Sequence, residues 1–298
     1  MLDPTRSLPP ALVAQAREFA EGTRTPVEPR NAATVVLSRP AEGAGGPGSL
    51  ELYFLRRHVG MAFAAGMAVF PGGGVDSRDH DEPADALPWA GPPAEHWAGR
   101  LGVEPGLARA LVYAAARETF EESGVLLAGP SPDEVVDDTT GEGWETDRRR
   151  LEGRDVSFTD FLRERGLVVR SDLLTPWACW VTPVFEPRRY RTWFFLAALP
   201  TGQRTRDVSS ESEEVMWLPV REALRATHED RLLMLPPQYC TCLELFDAAS
   251  PDQAARIGRE RELALVEPTA RFYGDEAHLE IPERLVALGE QVRARMDG

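Results

Sequence analysis

Apolar and polar positions along this chain fall into short blocks, and the blocks predict alternating strands and helices. Residues 10–21 read as a helix opened by Pro9-Pro10 and closed by Gly22. Thr34-Val35-Val36-Leu37 and Leu50 to Leu55 read as two strands around a Gly/Pro-rich turn at 41–49, hence a hairpin. Residues 61–70 are apolar but broken by Gly66, which fits a loop leading into a short strand. Residues 76–106 are rich in Asp, Pro, Gly and Trp, with room for a helical turn or more at 94–99. Loops of that length are uncommon unless functional or disordered. From Leu107 a helix runs through Ala108, Leu111, Val112 and Ala115 to Glu122, and Gly124 ends it as a C-cap would. Residues 130–170 are polar and charged apart from a helical pattern at Phe158 to Arg165, and read as a second insertion or a lid. Strand patterns resume at Trp180-Val181-Thr182-Pro183, Thr192 to Leu199 and Val215 to Leu218. Helices start at Pro219 and at Gln238, and the remainder is mixed. Short strands interleaved with helices predict an α/β or α+β class.

Composition narrows the function. With 298 residues and 43% apolar content, the chain has ample material for a core. The net charge of −15 argues against nucleic acid and anionic membranes as partners. No stretch approaches the length of a membrane span. The N-terminus lacks a basic-then-apolar signal pattern, and Cys179, Cys240 and Cys242 form no disulfide framework. A cytoplasmic location is the expectation. There is no lysine, so every basic side chain is arginine, the better bidentate phosphate ligand.

The chemistry concentrates in Arg117-Glu118-Thr119-Phe120-Glu121-Glu122-Ser123-Gly124-Val125. Glu118, Glu121 and Glu122 stand at i, i+3 and i+4 of the predicted helix and so point to nearly the same side. Like charges at that spacing repel. A bound divalent cation offsets the repulsion, and Mg²⁺ takes oxygen ligands beside phosphates. Asp79-His80-Asp81-Glu82 is a second acidic cluster, read as a solvated loop rather than a metal site. Ser123 lacks a nucleophile elbow, and Gly72-Gly73-Gly74 lacks the Gly-Lys-Ser/Thr ending of a phosphate-binding P-loop.

The nine-residue stretch resembles the second half of the Nudix box, G-x(5)-E-x(7)-R-E-U-x-E-E-x-G-U with U bulky and apolar. It departs at Thr119, and the first half lies far upstream in Phe70-Pro71-Gly72-Gly73-Gly74-Val75-Asp76. An insertion at 76–106 therefore splits the box. Counted back from Arg117, the box's first glutamate falls on Arg109, which leaves three options. Glu104 supplies that carboxylate, an insertion residue does, or the site works without it.

Thr182-Pro183, Arg188-Arg189-Tyr190-Arg191-Thr192-Trp193-Phe194-Phe195 and Leu235-Pro236-Pro237 extend the likeness to one subgroup. It resembles the peroxisomal coenzyme A diphosphatases of animals and their bacterial relatives, whose box is also split. The bacterial coenzyme A signature R-x(3)-G-x(3)-F-P-G-G is incomplete, because Ala62 stands at its arginine position.

This resemblance implies a single domain over 1–298, an α/β/α sandwich with a mixed sheet. Its core covers about 30–225, with insertions at 76–106 and 130–172 and a helical C-terminal extension at 226–298. It implies Mg²⁺ or Mn²⁺ on Glu118, Glu121, Glu122 and the Gly73 carbonyl, with Arg117 orienting a carboxylate. Arg57, Phe70, Arg188, Arg189, Glu211 and Glu213 are the candidates for binding substrate. The implied reaction is hydrolysis of a nucleoside diphosphate linked to another group. Coenzyme A or acyl-coenzyme A is the first choice, and NADH or ADP-ribose the alternative. A regulator that binds a nucleotide without cleaving it is the reading from a different class. A homodimer is left open.

Overall fold

The computed structural model describes residues 7–41, 49–58, 60, 64–79, 88–209 and 212–297. The elements in chain order are α1 (Pro10–Ala20), β1 (Arg30–Pro40), β2 (Leu50–Arg57), β3 (Ala68–Val69), β4 (Gly72–Gly74), β5 (Trp89–Ala90), α2 (Ala94–Leu101) and α3 (Pro105–Ser123). Next come β6 (Ala128–Gly129), α4 (Glu142–Glu152), α5 (Phe158–Arg165), β7 (Val168–Arg170), β8 (Thr175–Val181), β9 (Tyr190–Ala198) and β10 (Ser212–Pro219). The C-terminal part holds α6 (Val220–His228), α7 (Pro236–Glu244), α8 (Pro251–Glu260), β11 (Leu265–Val266), β12 (Thr269–Tyr273), β13 (Glu276–Glu280) and α9 (Glu283–Asp297).

The main sheet runs β10-β2-β1-β9-β8-β11, and it is mixed because β1 lies parallel to β9 and antiparallel to β2. Strand periodicity sends alternate residues to opposite faces. Val35, Leu37, Trp193 and Phe195 meet α3 on one face, whereas Val36, Phe54, Phe194 and Leu196 meet α6, α7 and α9 on the other. The result is the expected α/β/α sandwich. The predicted hairpin is present, with Ser38 opposite Leu52.

What places the site is a wedge in this sheet. β1 and β2 pair only near their turn, at Ser38 to Pro40 and Leu50 to Leu52. Further on, β3 pairs with β2 and β4 pairs with β1 at Ala32 to Thr34. The glycine turn of β4 is thereby set into the sheet directly below α3.

The two insertions are joined to each other. β5, from the first, runs parallel to β7, from the second, and β6 pairs with β7 on its other side. The second insertion packs behind α3: Phe120 stacks on Phe161 at 5.5 Å and meets Trp144 edge-on at 6.4 Å. Helix α4 was absent from the sequence reading because Trp144 and Leu151 are its only apolar residues. It buries Asp147 and Arg148 as ion-paired groups instead. The C-terminal extension is largely helical, and it also adds β11 to the sheet and forms the β12–β13 hairpin. That hairpin covers α1 through Leu279, Ala277, Val13 and Ala16. The three cysteines are buried and free, and among the described residues no helix is long and apolar enough to cross a membrane.

Candidate active site

Helix α3 starts with Pro105 in its first turn and ends at Gly124, whose φ of 73° lies in the left-handed region that glycine tolerates best. The three glutamates fall in the last two turns, where they face β4. Glu122 Oε2 accepts the Gly72 N–H at 2.8 Å. A Cβ built on Gly73 would sit 2.5 Å from Glu118 Oε1, so only glycine leaves that carboxylate its place. Gly72 is equally constrained from below, because a Cβ there would come within 2.5 Å of the Ala33 carbonyl oxygen. Arg117 Nη1 donates to Glu118 at 2.7 Å and to Glu121 at 3.4 Å. These contacts set the Glu118 and Glu122 carboxylates against the glycine turn and tie Glu121 to Glu118 through Arg117.

Arg117 is 7% exposed and uses its whole guanidinium. Nε and Nη2 donate to Asp79 at 3.3 and 3.0 Å, and Nη2 also reaches the Gly74 carbonyl at 3.0 Å. Its i,i+4 contact with Glu121 is the longest of its ion pairs. Its main work is to tie the glycine loop to the helix.

Asp79 is the buried, Arg117-paired acid that the sequence reading misplaced. It is 6% exposed, not part of a solvated acidic loop. Counted forward from Gly73, it stands where the box has its first glutamate. Counting back from Arg117 crosses the insertion and lands on Arg109. The carboxylate therefore comes from an insertion residue. Glu104 is ruled out, because it sits exposed before the first turn of α3, 14 residues and about 21 Å along the axis from Glu118.

Other candidates separate on burial and partners. Phe70 is 2% exposed and packs on Phe54 in the core of the opposite face, so it holds the sheet and not a substrate. Arg189 is buried and spends its nitrogens on Glu267, Val27 O and Thr182 O, which makes it a structural clasp. Arg188 is exposed in the β8–β9 turn. Arg57 is half-buried at the end of β2, opposite Ser212 beside the wedge. Glu213 pairs with His58 at 3.2 Å across the same strand ends. Glu211, Ala62 and His80 lie outside the described residues. Of the tryptophans, Trp180 and Trp193 are buried, Trp177 lies under Arg261, and Trp217 packs on Tyr53 and under Arg39. Two cavities of about 550 and 500 Å³ lie elsewhere, one against Trp177, Ile257 and Arg284 and one against Val136, Trp144 and Arg165.

The site is overcharged. Three carboxylates, of Asp79, Glu118 and Glu121, gather around the Arg117 guanidinium, and that of Glu122 lies on the adjoining glycine turn. Burial first, and then the Glu118 charge, raise the Glu121 carboxyl to about 7 against the pull of Arg117. Burial would ease the proton from Arg117, but Glu118 and Asp79 hold it firmly charged. The helix dipole adds to the negative charge, since these groups sit at its C-terminal end. Among the described residues no three or more His, Cys, Asp or Glu side chains are grouped so as to hold a metal ion as they stand. The donors nonetheless fit a hard divalent cation in kind: all are oxygens, they are in excess of local positive charge, and the glycine turn admits close approach.

A model of the NUDT19 Nudix domain matches residues 105–245. A solved Nudix hydrolase from Alicyclobacillus acidocaldarius superposes with a TM-score of 0.64 at 26% identity, over 80% of this chain and 98% of its own. The chain is a Nudix hydrolase. The acyl-coenzyme A diphosphatase NUDT19 of Gallus gallus is 28% identical over 279 residues, covering 78% of this chain and 72% of the relative. Its Homo sapiens counterpart is 28% identical over 291 residues, covering 81% and 74%. This Nudix enzyme is thus a diphosphatase acting on a small nucleotide-type substrate, similar to the coenzyme A diphosphatases. Nudix hydrolases generally use divalent metal ions.

The glycine turn makes a direct prediction. In Gly73→Ala the new methyl displaces the Glu118 carboxylate, and a misplacement of about 1 Å at a reacting centre costs on the order of 100-fold. Steady-state turnover together with a melting curve checks it. A well-folded variant that keeps wild-type turnover would show that Glu118 does not need this position.

Proposed function

We propose that the chain hydrolyses the diphosphate of coenzyme A or acyl-coenzyme A with Mg²⁺ or Mn²⁺. Water adds across the P–O–P anhydride, and the products are 4′-phosphopantetheine, acylated or free, and adenosine 3′,5′-bisphosphate. The observation that supports the reading is the packing of Glu118 and Glu122 against the Gly72–Gly74 turn, with Glu121 tied to Glu118 through Arg117 and Asp79 locked behind. The relatives named acyl-coenzyme A diphosphatases supply the choice of substrate.

Glu118, Glu121, Glu122 and the Gly73 carbonyl are the groups that would hold the cation. Bound there, it would acidify water and neutralise charge on the diphosphate oxygens. Glu118 would accept the proton of the attacking water, a role supported by its position against the glycine turn and its bond from Arg117. Arg117 fixes the carboxylates and the loop relative to one another. Partners of this kind change metal affinity or activity by roughly 10–100-fold when removed. Arg57, beside the wedge, and the exposed Arg188 are the candidates for phosphate oxygens, and guanidinium forks suit that task.

Incubation with coenzyme A, NADH and ADP-ribose, with and without Mg²⁺ and with product masses recorded, tests the proposal. Metal-dependent release of adenosine 3′,5′-bisphosphate is the expected result. Cleavage of NADH or ADP-ribose in preference to coenzyme A would move the substrate class. Absence of cleavage in all three, with ligand-induced thermal stabilisation, would favour a nucleotide binder.

A further inference from the structure

A helix that ends in a buried, left-handed turn leaves carbonyl oxygens without helical partners. In α3 that end is also negative twice over, from the dipole and from the glutamates. After Gly124 the Val125 N–H turns to Ser123 Oγ, so it does not continue the helix ladder to Glu121. The Glu121 carbonyl oxygen is met by Arg148 Nη1 of α4 at 2.8 Å. Other groups cover the neighbouring carbonyls: Arg206 N–H donates to Ser123 O at 2.9 Å, and Thr139 Oγ1 donates to Gly124 O at 2.7 Å. Glu145 joins the two arginines, accepting from Arg148 at 2.9 and 3.1 Å and from Arg206 at 2.7 Å. Arg148 is 3% exposed, so this is an interior contact.

The same insertion also grips the other half of the box. Arg78 Nη1 donates to the Arg154 and Val156 carbonyls at 3.0 and 3.3 Å, while its remaining nitrogens bind Asp76. Residues 142–156 therefore hold both the loop that carries Gly73 and Asp79 and the helix turn that carries Glu121. The expected lid is a brace behind the site.

We propose that the second insertion sets the position of the carboxylate helix, with Arg148 as its positioning residue and Glu145 as the strut that fixes Arg148. This rests on the diphosphatase reading above. Arg148 touches the Glu121 backbone and no reacting group. Its planar fork reaches Glu121 O, Glu145 and Glu152 at once, a geometry that lysine cannot reproduce in full.

The test uses the full chain and compares wild type, Arg148→Met, Arg148→Lys, Glu145→Gln and, as control on the same helix, Arg150→Gln. Amide hydrogen exchange is read in the metal-free protein, Mn²⁺ binding by paramagnetic resonance of the free ion, and kcat and KM with coenzyme A and Mg²⁺. Arg148→Met is expected to speed exchange of the amides in 119–125 at least tenfold while distant segments stay protected. Mn²⁺ binding should weaken and kcat fall by roughly 10–100-fold, with KM within about twofold. Arg148→Lys should recover part of each, and Arg150→Gln should behave as wild type. Should Arg148→Met not fold, Glu145→Gln carries the test with the same signs and smaller effects. Uniform loss of protection across the fold, or unchanged exchange and Mn²⁺ binding in folded variants, would overturn the brace. An inactive wild type that still shows local loosening and weakened Mn²⁺ binding would leave the brace standing and remove the diphosphatase reading.

Discussion

Glu121→Gln is expected to fold normally and lose at least roughly 100-fold in turnover, the scale on which a positioned acid–base or ligand group contributes. The stability half of this prediction follows from the overcharged site. Glu121 is largely covered beside Glu118, and desolvation with that neighbour already pushes its carboxyl up. A neutral amide of the same shape relieves the repulsion and the desolvation. The metal-free variant should therefore melt at or above the wild-type temperature near neutral pH. Activity and stability move in opposite directions, as they do where a site holds strain for function. Parallel melting curves and rate measurements check both halves. A variant that melts far below wild type would mean that Glu121 serves packing. One that turns over normally would remove it from the ligand set.

Arg117→Met should be the most destabilising single change at the site. It leaves the buried Asp79 and the half-buried Glu118 without this counter-charge and frees the Gly74 carbonyl. Breaking a buried ion pair by removing one partner costs roughly 3–5 kcal/mol. Denaturant titration should show a loss on that scale, together with loss of turnover. Arg117→Lys should recover part of the stability, because one ammonium supplies charge but cannot fork to Asp79, Gly74 and Glu118 together. A loss under about 1 kcal/mol, the range of an exposed pair, would mean that the loop and helix are held by other contacts.

A milder pH effect should come from the brace. Arg148, ahead of Arg206, holds the Glu145 carboxyl down from its ordinary 4.5 to about 2. Because the folded value is the lower one, the stabilisation is complete above pH 4.5 and is lost as pH falls from there towards 2. Wild type should thus be more stable than Glu145→Gln at pH 6, and the gap should narrow steadily as pH falls from 4.5 towards 2. A gap that is constant with pH would show that the glutamate charge does not contribute.

Much of this was legible in the residues. The i, i+3, i+4 spacing of the glutamates, the αL stop at Gly124 and the glycine turn were local signals, and local signals survive insertions. Asp79 was hidden because the box was counted from its second half, through a stretch whose length the family pattern does not fix. Counting forward from Gly73 finds it. Phe70 and Arg189 were misread because sequence shows residue type but not face. Phe70 points to the far side of the sheet, and Arg189 is consumed by Glu267, 78 residues downstream. Helix α4 escaped because ion pairs, not an apolar stripe, hold it down.

The most direct measurement is anomalous diffraction from a crystal soaked in Mn²⁺. The account predicts a peak bounded by the Glu118 and Glu121 carboxylates and the Gly73 carbonyl, lost in Glu121→Gln. A Mn²⁺ peak elsewhere, with none at this turn, would contradict it.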